Sequence, residues 1–162
     1  MFTSTKVFDG FSTVFRQWKA VDTHCRFLHG YGVSFKVWFE GELDHRNWVW
    51  DFGGMKRAKT KIDGKSPKEW MDYMFDHTVI IAEDDPLLPE FEMLNNLPKF
   101  GDIQNKGVLQ LRVIPATGAE KFAEYIYNKL NNFVKTETNN RVKVKQVEFR
   151  EHGKNSAIYS EK

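Results

Sequence analysis

The residues best placed to do chemistry lie in His24-Cys25-Arg26-Phe27-Leu28-His29-Gly30-Tyr31, which holds the only cysteine of the chain and two of its five histidines. Positive neighbours lower a thiol's pKa and make the thiolate available, so Cys25, between His24 and Arg26, is a candidate nucleophile or base. A lone cysteine can equally be a small core filler. Asp76-His77 is an adjacent carboxylate–imidazole pair, the pairing that supports proton transfer. Helix ends also carry Asp and His for capping and dipole reasons, so both readings stand. Glu151 falls in phase with Val147 and Phe149 and is expected to point inward, where a carboxylate needs a partner. A ligand with two N–H donors would satisfy it. A salt bridge would do so too, and a slip of register would leave it exposed. A metal centre needs three or four ligands. His29 is one candidate; Tyr31, next on the same face, is a poor zinc ligand, and neither His24 nor His152 completes a recognised ligand spacing.

The rest of the chain must position these groups. At 162 residues, 41% hydrophobic and 15% aromatic, it is expected to form one domain over 1–162 with its own core. One cysteine excludes an intrachain disulfide framework and fits a reducing compartment. A net charge of +2, with both signs interleaved, gives no nucleic-acid surface. No apolar run approaches the roughly 20 residues of a membrane span. Met1-Phe2-Thr3-Ser4-Thr5-Lys6 lacks the apolar core of a signal peptide. The expectation is a soluble, cytoplasmic protein.

Residues 4–15 read as a strand with a turn or bulge near Gly10, and Arg16 to Thr23 as a polar loop. From His29 the alternation is strict: His29, Tyr31, Val33, Phe35, Val37 and Phe39 share one face, so His29 and Tyr31 end an apolar row. Gly41 to Asn47 is a turn, and a charged helical stretch starts at Met55. Ser66-Pro67-Lys68-Glu69 is a capping box opening a helix that carries Trp70, Tyr73 and Met74. Residues 83–107 read as a long loop, and Leu109, Leu111 and Val113 as a short strand. Thr117-Gly118-Ala119-Glu120 reads as a second capping box, followed by helical spacing through Phe122, Ile126, Leu130 and Phe133. Arg141 to Glu151 is a strand whose phase slips at Lys145-Gln146. Gly153-Lys154-Asn155 turns the chain into a last strand over Ser156 to Tyr159. The order suggests α+β, with helices packed on an antiparallel sheet.

Together these residues resemble the 6-pyruvoyltetrahydropterin synthase and 6-carboxytetrahydropterin synthase family, from about Thr5 to Tyr159. The family has a cysteine four residues before His-Gly-His, here Cys25 and His29-Gly30-Tyr31. Its Gly-x-Val-x-Asp-Phe block appears as Asn47-Trp48-Val49-Trp50-Asp51-Phe52, without the glycine. Its Leu-Asp-His is Phe75-Asp76-His77. Its Pro-Thr-x-Glu-Asn helix start is similar to Pro115-Ala116-Thr117-Gly118-Ala119-Glu120, with one extra residue. Its C-terminal Glu-Thr, eight residues before a Tyr, matches Glu151-His152 and Tyr159.

The resemblance implies a tunnelling fold: a four-stranded antiparallel sheet in ββααββ order, helices on one face, and subunits joined edge to edge into a homohexamer or other homo-oligomer. Paired edges would also hide a four-stranded sheet's open backbone groups. It implies a pterin substrate, 7,8-dihydroneopterin triphosphate, losing triphosphate in a lyase reaction on a route to tetrahydrobiopterin, folate or a 7-deazapurine. Cys25 would be the base at the substrate side chain, Asp76 and His77 its relay, Glu151 the pterin anchor, and Thr117 a neighbour of the ring. The family also implies Zn²⁺ held by three histidines, of which only His29 is present, with Phe15 and Tyr31 in place of the other two. His24 and His152 are the nearest substitutes. Two further readings follow from those replacements: a metal-independent enzyme of the aldolase or epimerase kind on a related dihydropterin, and a non-catalytic pterin or purine binder that keeps the Glu151 anchor.

Overall fold

The computed structural model describes residues 1–97 and 107–162. Its longest pairing is between β1 (Phe2–Phe15) and β2 (His29–Gly41), antiparallel from Phe2↔Gly41 to Phe15↔His29. Period-two alternation builds both strands: Val33, Phe35, Val37 and Phe39 are buried, while Ser34, Lys36, Trp38 and Glu40 between them are not. The ladder breaks between Phe8 and Phe11, where Gly10 takes φ 83°, so the expected bulge is present. β5 (Val142–His152) pairs with β2, and Lys145 is left over between Trp38↔Gln146 and Phe39↔Val144. That extra residue is the phase slip read from the sequence. β6 (Asn155–Ser160) closes a hairpin on β5.

The sheet has six strands, not the expected four, in the order β4-β3-β1-β2-β5-β6. β3 (Thr78–Ala82) lies parallel to β1, and β4 (Leu111–Ile114) parallel to β3, so the sheet is mixed. β3 escapes a period-two reading because Val79-Ile80-Ile81 does not alternate: Ile80, Ile81 and Ala82 are all buried. Such runs mark strands covered on both faces. The ββααββ order therefore becomes β1-β2-α1-α2-β3-α3-β4-α4-β5-β6, with α1 Gly54–Arg57, α2 Pro67–Phe75, α3 Leu88–Asn95 and α4 Ala119–Glu137. α3 occupies part of the segment expected to be loop, and residues 98–106 of that segment lie outside the described residues.

The capping box at Ser66 forms in full, with Ser66 accepting from the Glu69 N–H and Glu69 accepting from the Ser66 N–H. The second expected box does not. α4 starts one residue later, its N-cap is Gly118 at φ 116° with no side-chain cap, and Thr117 bonds elsewhere. α2 and α4 cover the same face of the sheet. Phe75 of α2 lies 6.3 Å from Phe122 of α4 and 6.1 Å from Phe149 of β5, and Phe11 and Phe35 close the cluster. Truncating a fully buried ring such as Phe75 to Ala costs about 3–5 kcal/mol. No helix among the described residues is long and apolar enough to cross a membrane.

Candidate functional site

β1 leaves the core at Phe15, and the next two residues hold the cysteine loop. Arg16 grips Asp85 with two N···O contacts of 2.7 Å, and another of its nitrogens donates to the Arg26 carbonyl at 3.2 Å. Burial alone would raise the Asp85 carboxyl, but the Arg16 guanidinium and the Leu87 N–H hold it below the usual aspartate value. The Gln17 N–H donates to the Cys25 carbonyl at 2.8 Å. The Cys25 N–H donates to the Thr23 hydroxyl at 3.2 Å, closing a short 3-10 turn over His24–Arg26. Cys25 itself is half-buried. Thr117 is tied to the same place, since its hydroxyl donates to the Arg16 carbonyl at 2.6 Å. A cleft of about 440 Å³ opens beside it between Gln17, Trp18, Asp84, Thr117 and Lys121.

Across from that loop, the end of β2 meets the end of β5. Burial pushes the Tyr31 phenol above its ordinary pKa, and the negative charges of Glu151 and then Cys25 push in the same direction. The Glu151 carboxylate and the Cys25 thiol are thus each within electrostatic reach of the Tyr31 phenol. Glu151 is half-buried, inside the irregular register between Arg150 and His152, and its charge acts on Tyr31. The phenol is protonated at neutral pH, so it can donate a hydrogen bond.

The family's zinc does not fit these residues. Phe15 is fully buried, with its ring centroid 4.9 Å from His29 and 6.0 Å from Tyr31, so hydrocarbon fills the position of one ligand. His29 commits Nδ1 to the Phe27 carbonyl at 2.7 Å. His152 packs on Tyr31 at 5.5 Å and its Nδ1 accepts from the Lys154 N–H, while His24 packs towards Phe27 at 6.5 Å. Neither substitute histidine joins His29 in a ligand set, and no group of three or more His, Cys, Asp or Glu suited to a metal ion occurs among the described residues.

Asp76 and His77 are in contact, with Asp76 Oδ1 3.0 Å from His77 Nδ1. The Asp76 carboxylate also accepts from the Ser12 N–H at 3.2 Å, and the His77 N–H donates to the Ser12 carbonyl at 2.7 Å. His77 takes φ 56°, a turn conformation that leaves its ring 76% exposed. The pair is thus anchored at Ser12, whereas Cys25 is anchored at Gln17. Five residue steps, the last two beyond the end of β1, separate these backbone anchors, at most roughly 15 Å. No hydrogen bond, ion pair or ring contact joins Cys25 to Asp76 or His77 among the described residues. Within one chain, Thr117 is tied to the Cys25 loop through Arg16, Cys25 and Glu151 act electrostatically on Tyr31, and Asp76 and His77 are held at Ser12, one residue from Thr13, the cross-strand partner of Tyr31.

Arg16 and Asp85 are the site-building residues that sequence reasoning missed. Arg16 was part of a polar loop and Asp85 part of an acidic, Pro-containing one. The available signal was an arginine directly after an apolar strand together with Asp84-Asp85-Pro86, but nothing local joins positions 69 residues apart.

The family model of 6-pyruvoyl tetrahydropterin synthase matches residues 5–162. Among solved structures, an uncharacterized protein of Wolinella succinogenes, WS1659, is 25% identical, with a TM-score of 0.73 over 99% of this chain and 98% of its own. Caenorhabditis elegans 6-pyruvoyl tetrahydropterin synthase is 19% identical, with a TM-score of 0.59 over 99% and 96%. A catalytic-residue variant of the Plasmodium vivax 6-pyruvoyltetrahydropterin synthase is 17% identical, with a TM-score of 0.56 over 98% of both chains. The curated proteins contain no match. The mixed six-stranded sheet with helices is thus similar to that of the tetrahydropterin synthases. With a match over nearly its whole length, the chain belongs to the 6-pyruvoyl tetrahydropterin synthase family.

Proposed function

We propose that this chain forms a single domain over 1–162 that converts a dihydropterin, 7,8-dihydroneopterin triphosphate, by a carbon–oxygen lyase reaction. The observation that carries the reading is the convergence of Cys25 and Glu151 on Tyr31, with Thr117 tied to the same loop. Glu151 anchors the pterin, its two carboxylate oxygens accepting from a ring N–H and the exocyclic amine. Cys25, as thiolate, takes a proton from the substrate side chain. The carbon–oxygen electron pair leaves with the triphosphate, and His77, oriented by Asp76, returns a proton. Asp76 and His77 are anchored at Ser12 with no contact to Cys25 among the described residues, and a second copy of the chain supplies them, in a homohexamer or another homo-oligomer. A half-buried thiol with this role suits the reducing cytoplasm.

A metal-independent form of the chemistry is the second reading, and the Phe15–His29–Tyr31 packing favours it. Here the Tyr31 O–H donates to the side-chain oxygen on which charge develops, in place of a metal's Lewis acidity. Aldol-type or epimerase-type proton transfers on a related dihydropterin need no more than these groups.

The test is turnover of 7,8-dihydroneopterin triphosphate by purified protein, followed by triphosphate release. Activity lost in Cys25→Ala, with pterin affinity lost in Glu151→Ala, supports the lyase. Turnover of other dihydropterins alone points to the second reading. Pterin binding without any turnover would overturn both and leave a binding protein. Unchanged affinity in Glu151→Ala would sink the anchor.

A further inference from the structure

A cleft between the first half of β1 and helices α1 and α2 gathers four cationic side chains around an apolar floor. Lys6 comes from β1, Lys56 and Arg57 from α1, and Lys68 from the second position of α2, around a cavity of about 430 Å³. Asp9 is the one acid that lines it. Phe8, Phe11 and Met55 are buried beneath, and Phe52 forms a wall. The ammonium of Lys6 lies 5.9 Å from the Phe52 ring centroid, and that of Lys68 lies 5.4 Å from the Phe11 ring.

The charges here are poorly neutralised. Lys68 pairs with Asp72 at 2.8 Å, and Arg57 reaches Asp51 only at 3.7 Å. Lys6 and Lys56 form no ion pair among the described residues. Lysines on an ordinary solvated surface diverge, because like charges repel. These converge on a concavity with an aromatic floor.

We propose that this cleft is a second ligand site, which takes a nucleoside polyphosphate. The volume is in the range of small-molecule sites. A flat base would lie against the half-buried ring of Phe52 at the wall, above the buried Phe8 and Phe11. The phosphates would meet Lys6, Lys56 and Lys68 as point charges and Arg57 as a two-pronged donor. Asp9 offers an acceptor for a sugar hydroxyl or a ring amine. The cleft is distinct from the Cys25 end of β1, since Phe8 and Phe15 are seven strand positions apart, about 23 Å along the strand; its Phe11 side adjoins Ser12, which holds Asp76 and His77.

Calorimetric titration of the full chain with ATP, inorganic triphosphate and adenosine tests the proposal. ATP should saturate, inorganic triphosphate should bind about tenfold more weakly because it lacks the ring, and adenosine should not bind measurably. Affinity for ATP should fall as salt rises. The exposed pair Lys6→Glu with Lys56→Glu should keep the melting temperature and weaken ATP at least tenfold. Lys6→Arg with Lys56→Arg should keep binding, and Glu151→Ala should leave it unchanged. Three results would overturn the proposal: no saturation by ATP up to about millimolar concentration, as when a second copy's acidic side chains fill the cleft; unaltered affinity in the double charge reversal; or loss of ATP binding in Glu151→Ala, which would place the nucleotide in the pterin site.

Discussion

Thr117 and Cys25 are joined through one peptide group. The carbonyl of the Arg16–Gln17 peptide accepts the Thr117 hydroxyl at 2.6 Å, and its N–H donates to the Cys25 carbonyl at 2.8 Å. Thr117, two residues before α4, therefore helps to set where the cysteine loop sits, although the two are 92 positions apart in the chain numbering (117 − 25). Thr117→Val keeps the shape and removes the donor. It should cost about 1 kcal/mol of stability and lower kcat more than Thr117→Ser does. Equal activity of the valine and serine variants would remove Thr117 from the positioning of Cys25.

The Arg16–Asp85 pair should dominate the acid stability of this end of the sheet. The Asp85 side chain is fully buried and that of Arg16 is 17% exposed. Asp85→Asn leaves a guanidinium with its fork half-satisfied, so a loss of about 3 kcal/mol is expected. The folded-state pKa of Asp85 lies below its unfolded value. Its contribution is then complete above about pH 4, the ordinary aspartate range, and is lost as pH falls through the lower folded value. Melting temperatures of wild type and Asp85→Asn should differ at pH 7 and converge towards pH 2. A constant gap across that range would contradict the assignment.

If Cys25 and the Asp76–His77 pair act together across two copies, variants lacking one or the other should complement. Cys25→Ala and His77→Ala are each expected to be inactive. Unfolding and refolding them as a mixture should restore part of the activity, because some assemblies then hold one complete site. Absence of rescue, with oligomers formed normally, would mean that the pair does not serve Cys25.

Phe15 and Tyr31 make a direct statement about zinc. Wild-type protein dialysed against a chelator should keep its turnover. Phe15→His with Tyr31→His rebuilds three imidazoles around His29, and metal analysis should then find zinc bound in proportion to the chain. Some stability should be lost, since Phe15 packs edge-on against Phe122 at 4.9 Å. Chelator-sensitive activity restored by zinc in the wild type would overturn the metal-independent reading.

Much of the fold was legible because its rules are local. The β2 face follows from alternation, the bulge at Gly10 from a glycine inside a strand pattern, and the extra residue at Lys145 from a change of phase. Ser66 announced its helix because a capping box spans only four residues. β3 was hidden for the same reason: Val79-Ile80-Ile81 carries no alternation to separate it from the end of α2, and only its position between β1 and β4 makes it a strand. Thr117 misled, since its hydroxyl had a competing acceptor at Arg16, 101 residues away, that local pattern cannot reveal.

The sequence by itself determined the chemistry on offer between His24 and Tyr31: a thiol, two imidazoles, and a phenol on the same strand face as His29. That much depends on residue identity and strand parity, both of which are local. Only the tertiary structure decided which groups meet. It brought Glu151 within electrostatic reach of Tyr31, tied Thr117 to the Cys25 loop, closed Arg16 on Asp85, and held Asp76 and His77 at Ser12. Strand register and sheet order fix those distances, and both are properties of pairing between distant segments, which no single stretch of chain contains.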